Sequence, residues 1–156
     1  MGLLDGKVAI ITGAGGGLGR CHALLLAKEG AAVVVNDLGG SRDGKGGSSS
    51  MADQVVKEIQ AAGGQAVANY DSVATVAGGE NICKTAVDAF GKVDILVNNA
   101  GILRDRSFSK MEIEDFRTVL DVHLMGSVHC TKAVWELMRA QQYGRIVMTT
   151  SSSGLY

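Results

Sequence analysis

Residues 7–19 read Lys7-Val-Ala-Ile-Ile-Thr-Gly13-Ala-Gly-Gly-Gly17-Leu-Gly19, and the order of residue types in this stretch decides the fold. After Lys7 the run Val8–Thr12 is short and mostly apolar and β-branched, which is a buried strand. A glycine cluster follows, and from Leu18 the apolar residues recur at helical spacing. Strand, tight turn and helix in that order bring bare backbone N–H groups and a helix N-terminus to one place, a setting for a phosphate. A Cβ there would block the turn and hold the backbone away from a pyrophosphate. Gly13, Gly17, Leu18 and Gly19 are therefore candidate cofactor contacts; a turn with a purely structural purpose would use glycines as well.

Beyond this stretch, short apolar runs alternate with helical stretches, the pattern of βαβ units on a parallel sheet. Strands are predicted at about 7–12, 32–36, 65–69, 94–98 and 145–150. The first helix is predicted over 18–29, with Leu24, Leu25, Leu26 and Ala27 toward the sheet. Helices over 51–62 and 79–90 follow, the latter with Ile82, Ala86, Val87 and Phe90 inward. Ser109-x-x-Glu112 reads as a capping box opening a long helical region to about 139, interrupted near Gly126.

In such a sheet the carboxyl ends of the strands carry the ligand. Asp37 ends the second strand, where a carboxylate would accept from adenosine ribose hydroxyls and repel a 2′-phosphate. A simple turn acid is the alternative. Asp71 and Ser72 follow the third strand, and Asp71 either accepts from an adenine amino group or closes a turn. Asn98-Asn99-Ala100-Gly101 follows the fourth strand. Asn98 offers a donor and an acceptor there, while Ala100 and Gly101 keep the approach narrow. The Gly/Ser-rich stretch 38–50 is longer than an ordinary βα loop. It either lies over the adenosine end of a cofactor or is a plain insertion.

Composition narrows the function classes. A length of 156 residues is one ordinary domain, and a net charge of −1 gives no footprint for nucleic acid or a membrane surface. No apolar run approaches the roughly 20 residues of a membrane span. The start, Met-Gly-Leu-Leu-Asp-Gly-Lys, has no basic region or long apolar stretch, and Gly6 stands where a myristoylation motif needs Ser or Thr. Cys21, Cys83 and Cys130 are odd in number and far apart, which suits free thiols in a reducing cytoplasm and no metal set. Proline is absent, and nothing physical explains it.

Taken together, Thr12-Gly13-x-x-x-Gly17-x-Gly19, Asp37, Asn98-Asn99-Ala100-Gly101 and the Ser-rich end of the fifth strand resemble the short-chain dehydrogenase/reductase family. Val35-Asn-Asp-Leu-Gly-Gly40, Ala68-Asn-Tyr-Asp-Ser-Val73, Asn98–Phe108 and Tyr143-Gly-Arg-Ile-Val-Met148 are similar to one branch of it, the (3R)-hydroxyacyl-CoA dehydrogenase domains of peroxisomal multifunctional enzymes. The resemblance implies an α/β fold, a Rossmann-type doubly wound parallel sheet. It implies NAD as cofactor, a small-molecule substrate such as an acyl-CoA, and hydride transfer between a substrate carbon and nicotinamide. It also implies a homo-oligomer at full length. A serine holds the substrate oxygen, a tyrosine moves the proton, and a lysine lowers the tyrosine's pKa from its ordinary value of about 10. Ser151 matches the serine by its place after the fifth strand, with Ser153 as competitor. His123 stands where the family has a helical Asn; it either holds the same water or packs.

The family's Tyr-x-x-x-Lys falls further along than Tyr156, so Tyr156 is not the base. The expectation is that residues 1–156 are the N-terminal, NAD-binding portion of a single dehydrogenase domain. Its five-stranded sheet would be incomplete at the carboxyl-terminal side. Two other readings stay open: a nucleotide-binding or interaction module without turnover, and a carbonyl or 3-oxoacyl reductase using NADPH.

Overall fold

The computed structural model describes residues 2–41, 43, 44, 46 and 48–152. Five strands, β1 (Val8–Thr12), β2 (Ala32–Asn36), β3 (Gln65–Asn69), β4 (Ile95–Asn98) and β5 (Arg145–Met148), form one sheet of order β3-β2-β1-β4-β5. Every neighbouring pair is parallel. The helices are α1 (Gly17–Lys28), α2 (Ser50–Ala61), α3 (Val76–Phe90), α4 (Ile113–Leu120) and α5 (Gly126–Ala140).

Side chains alternate across a strand, and here both faces are buried. Ala9, Ile11, Val33, Val35 and Val97 face one core with Ala23 of α1 and Val55 and Ile59 of α2. Val8, Ile10, Val34 and Leu96 face the other with Ile82 of α3 and Cys130 and Val134 of α5. This explains why β1 and β2 read as unbroken apolar runs. Each fully buried Ile or Val contributes roughly 1.5–3 kcal/mol of transfer free energy. Burial pushes the Cys130 thiol up to about 12 and raises the Cys83 thiol, so both act as packing groups.

The elements follow the expectation, with local corrections. Leu25 is exposed and Ala23 takes the buried place in α1. Val87 is also exposed. The third helix starts earlier than predicted, at Val76, with the Thr75 hydroxyl accepting from the Gly78 N–H. Gly78 and Gly79 lie inside this helix. They serve close packing, since a Cβ on Gly79 would stand 2.9 Å from the His129 backbone of α5. Ser109 does not cap α4. It lies in a 3₁₀ turn, Phe108–Lys110, and Glu112 precedes the helix without a side-chain cap bond. Extended backbone at Met111 and Glu112 carries Ser109 away from the helix's first N–H groups.

The helical region is not interrupted at Gly126. It continues through a π-helical segment, Asp121–Met125, into α5. Gly126 is needed because a Cβ there would lie 2.7 Å from the Val73 side chain. β5 ends at Met148, short of the predicted 150, and forms an edge of the sheet with Val147 and Met148 half exposed. Ser153 and Tyr156 lie outside the described residues. No helix among the described residues is long and apolar enough to cross a membrane.

Candidate cofactor and active site

The strand order puts the carboxyl ends of β1, β2 and β4 side by side, with β1 between the other two. The glycine turn leaves β1 there. Gly13 has φ +62, and a Cβ on it would stand 2.8 Å from the Ala100 Cα. A Cβ on Gly19 would stand 2.1 Å from the Gly13 carbonyl oxygen. A Cβ on Gly15 would reach the Asp37 carboxyl group at 2.8 Å. These glycines therefore let three segments touch.

Gly17, at φ +51, faces open space, and Leu18 beside it is exposed. The residue before α1 is Gly16, which gives no side-chain cap, and the first turn holds no acid. The helix thus presents N–H groups and the positive end of its dipole without a competing carboxylate. This is a cradle that a Cβ would fill, and it fits a pyrophosphate.

Asp37 follows β2. Its Oδ2 accepts from the Gly15 N–H at 2.8 Å and its Oδ1 from the Gly39 N–H at 2.7 Å. Each oxygen keeps a further lone pair for a hydroxyl donor. The carboxylate is thus locked beside the turn with acceptor capacity to spare.

Asp71 is held differently. The Asn69 amide donates to its Oδ2 at 2.8 Å and the Asn81 amide to its Oδ1 at 3.2 Å. The Asn36 amide donates to Asn69 Oδ1 at 2.8 Å and to the Asp71 carbonyl at 2.9 Å. Asp71 is thereby an anchor for the end of β3, within a buried asparagine pair that sequence reading passed over. The signal was present: Asn36 and Asn69 end two strands that pair in register. Ser72 turns inward on its own loop, its hydroxyl accepting from the Ala74 N–H at 3.2 Å.

After β4, Asn98 is buried. Its Nδ2 lies 3.1 Å from the Thr131 hydroxyl and 3.3 Å from the Met148 sulfur, and its Oδ1 has no partner among the described residues. An orphaned buried acceptor is costly, and its place beside the cleft fits a polar ligand group. Asn99 stitches the turn instead, donating from Nδ2 to the carbonyls of Thr12 at 3.0 Å and Gly13 at 3.2 Å. The Thr12 hydroxyl accepts from the N–H groups of Asn99 and Ala100, both at 3.0 Å. Thr12 and Asn99 were visible in sequence only as motif letters. Their role is to join β1 to β4.

His123 lies in the π-helical segment and is exposed. Its Nε2 sits 3.0 Å from the Ile102 nitrogen and 2.9 Å from the Ile102 oxygen. Its ring packs on Gly101, where a Cβ would stand 2.6 Å from Cε1. The histidine therefore both packs and borders an open cavity of about 630 Å³, shared with Thr131, Trp135, Met148, Thr149 and Thr150. Ser151 follows Thr150 at the same end of β5 and is exposed. A larger groove of about 800 Å³, bordered by Lys7, Gly30, Gly64 and Lys92, lies at the opposite, amino end of the strands. Among the described residues no three His, Cys, Asp or Glu side chains group to hold a metal ion.

A parallel sheet of this order, with a glycine cradle after its first strand and a locked carboxylate after its second, defines a Rossmann-type nucleotide-binding fold. Residues 7–156 match the short chain dehydrogenase family, and the chain belongs to it. It is 61% identical over 150 residues to a short-chain type dehydrogenase/reductase of Mycobacterium tuberculosis, covering 96% of this chain and 52% of that protein. It is 58% identical over 152 residues to the peroxisomal multifunctional enzyme type 2 of Mus musculus, covering 97% of this chain and 20% of that one. A solved 7α-hydroxysteroid dehydrogenase, complexed with NADH and 7-oxo glycochenodeoxycholic acid, superposes with a TM-score of 0.88 at 37% identity, covering 98% of this chain and 56% of that one. The chain thus spans about half or less of the length of these relatives.

Proposed function

We propose that this chain is the N-terminal, cofactor-holding portion of a single NAD-dependent short-chain dehydrogenase domain. Its reaction in our reading interconverts a secondary alcohol, a 3-hydroxyacyl-CoA, and the ketone. The observation that carries the cofactor reading is Asp37, fixed by the Gly15 and Gly39 N–H groups beside the glycine turn. A carboxylate there accepts from ribose hydroxyls and repels a 2′-phosphate. Arg20, a cation that could counter that repulsion, is engaged with Glu58. That guanidinium holds the Glu58 carboxyl below its ordinary value, which favours the charged pair. The acyl-CoA class is supported by likeness to the mouse multifunctional enzyme. The three free thiols support a reducing compartment, the cytoplasm in our reading.

When bound, the nicotinamide supplies the hydride acceptor. The chain's own residues do the rest. Gly13, Gly17, Leu18 and Gly19 leave the pyrophosphate its space. Asp37 fixes the adenosine ribose, with Asp71 and Ser72 shaping the adenine side. Asn98, Ala100 and Gly101 border the nicotinamide side. Ser151 donates a hydrogen bond to the substrate oxygen, and His123 positions a water on the proton path. The tyrosine and lysine that move the proton belong to the remainder of the domain, and the assembled enzyme works as a homo-oligomer.

The full-length protein is expected to reduce NAD⁺ with a (3R)-hydroxyacyl-CoA. Ser151→Ala should lower kcat by roughly 10²–10³ with the KM for NAD⁺ little changed, since one oriented donor at a developing charge is worth that much. Progress curves at 340 nm read it. A Ser151→Ala enzyme as fast as the wild type would remove Ser151 from the mechanism.

A further inference from the structure

We propose that Asn69 and Asn81 are positioning residues for the base end of the cofactor, holding the Asp71 carboxylate so that its spare lone pairs select an adenine amino group; this rests on the dinucleotide reading above. β3 runs parallel to β2 and beside it, so Asp71 leaves the sheet at the same edge as Asp37. Hydrogen bonds tie the neighbouring strand ends together. The Ala14 N–H of the glycine turn donates to the Asn36 carbonyl at 2.8 Å, and the Asp37 N–H donates to the Asn69 carbonyl at 3.0 Å. The Asn36 amide crosses from β2 to the Asp71 carbonyl at 2.9 Å. The ends of β1, β2 and β3 are therefore one hydrogen-bonded unit.

Asn69 is the centre of that unit, and its buried amide is fully used. Its Oδ1 accepts from Asn36 Nδ2 at 2.8 Å and from the Asp71 N–H at 3.0 Å. Its Nδ2 donates to Asp71 Oδ2 at 2.8 Å and to the Thr85 hydroxyl at 2.9 Å. A side-chain amide has two donors and two acceptor lone pairs, so four partners leave this one a single orientation. Asn81 of α3 holds the other carboxylate oxygen, Asp71 Oδ1, at 3.2 Å. One amide on each oxygen fixes the rotation of the carboxylate, and each oxygen keeps a further lone pair. Both grips are neutral, so they hold the acid without cancelling its charge. Asp71 is only half-buried, which leaves those lone pairs open to a ligand. An acceptor fixed in this way favours the 6-amino group of adenine over the 6-oxo group of hypoxanthine, which would set acceptor against acceptor.

The experiment titrates the full-length protein with NADH, with reduced nicotinamide hypoxanthine dinucleotide and with NADPH. The wild type is expected to bind NADH about tenfold tighter than the hypoxanthine analogue, the size of one hydrogen bond to a charged acceptor. Asn69→Ala and Asn81→Ala should each bring that ratio below about threefold, while the NADH-to-NADPH ratio set at Asp37 stays within about twofold of the wild type. Asn81 is exposed, so its variant carries the test if Asn69→Ala does not fold. Asparagines that only support the fold would weaken all three dinucleotides in parallel, and that result overturns the inference. A folded variant that keeps the wild-type preference for adenine overturns it too. Equal wild-type affinity for NADH and the analogue removes the role of Asp71 and its two amides, and leaves the cofactor reading standing on Asp37. Failure of the wild-type protein to bind any of the three overturns the cofactor reading and this inference with it.

Discussion

Gly19→Ala is expected to cost at least about 100-fold in NADH affinity, equivalent to roughly 2.7 kcal/mol. Inside an exposed helix the same change would be favourable by about 1 kcal/mol, because alanine is the better helix former. Here the added Cβ would sit 2.1 Å from the Gly13 carbonyl oxygen and 2.6 Å from the Asn99 amide nitrogen. Both neighbours are fixed: the Gly13 carbonyl accepts from Asn99, and Asn99 is tied to β1. The helix must therefore move off the turn, and overpacking of that kind costs about 1–3 kcal/mol or more. Gly16→Ala is the matched control. Its Cβ would meet only the far end of the Met51 side chain, at 3.3 Å, which can swing aside. Isothermal titration of both variants decides the matter. Equal affinities would show that Gly19 is not there for close packing.

Thr12→Val should lower stability by about 3 kcal/mol, or roughly 6–12 °C in Tm for a chain of this size. Valine keeps the shape and the β-branch, so packing is nearly unchanged. The hydroxyl is 1% exposed as part of its residue and accepts two backbone N–H groups, from Asn99 and Ala100, while donating to the Val97 carbonyl. Without it, two part-buried donors lose their partner, at the lower end of about 1–3 kcal/mol each. Thr12→Ser, which retains the oxygen, should recover most of the loss. Calorimetry reads the order wild type, Ser, Val. A valine variant as stable as the wild type would mean that those N–H groups find another acceptor.

The two kinds of site information were unequally legible in the sequence. Residues whose chemistry is carried by type and spacing could be read directly. The glycine turn, Asp37 and the run 98–101 were legible because a parallel sheet sends every strand's carboxyl end to one edge. Roles set by a partner far along the chain were not. Asp71 reads as an adenine contact or a turn acid, and only the fold shows Asn69 and Asn81 donating to it. Arg104 looks like one charge in a polar loop until the fold brings the Asp43 carbonyl and Asp115 to it. Local helix signals failed where tertiary packing won. Gly78-Gly79 continues a helix because α5 lies against it, and Ser109 misses its cap because a 3₁₀ turn intervenes.

In our proposal Asp37 makes this an NAD site. Paired titrations of the purified full-length protein with NADH and with NADPH, at one fixed ionic strength, test it most directly. NADH is expected to bind at least about tenfold tighter, since like charges a few ångströms apart near a surface repel by up to about 4 kcal/mol before screening. Asp37→Ala should narrow that gap by weakening NADH and relieving NADPH. NADPH binding as tight as NADH in the wild-type protein would contradict the role assigned to Asp37.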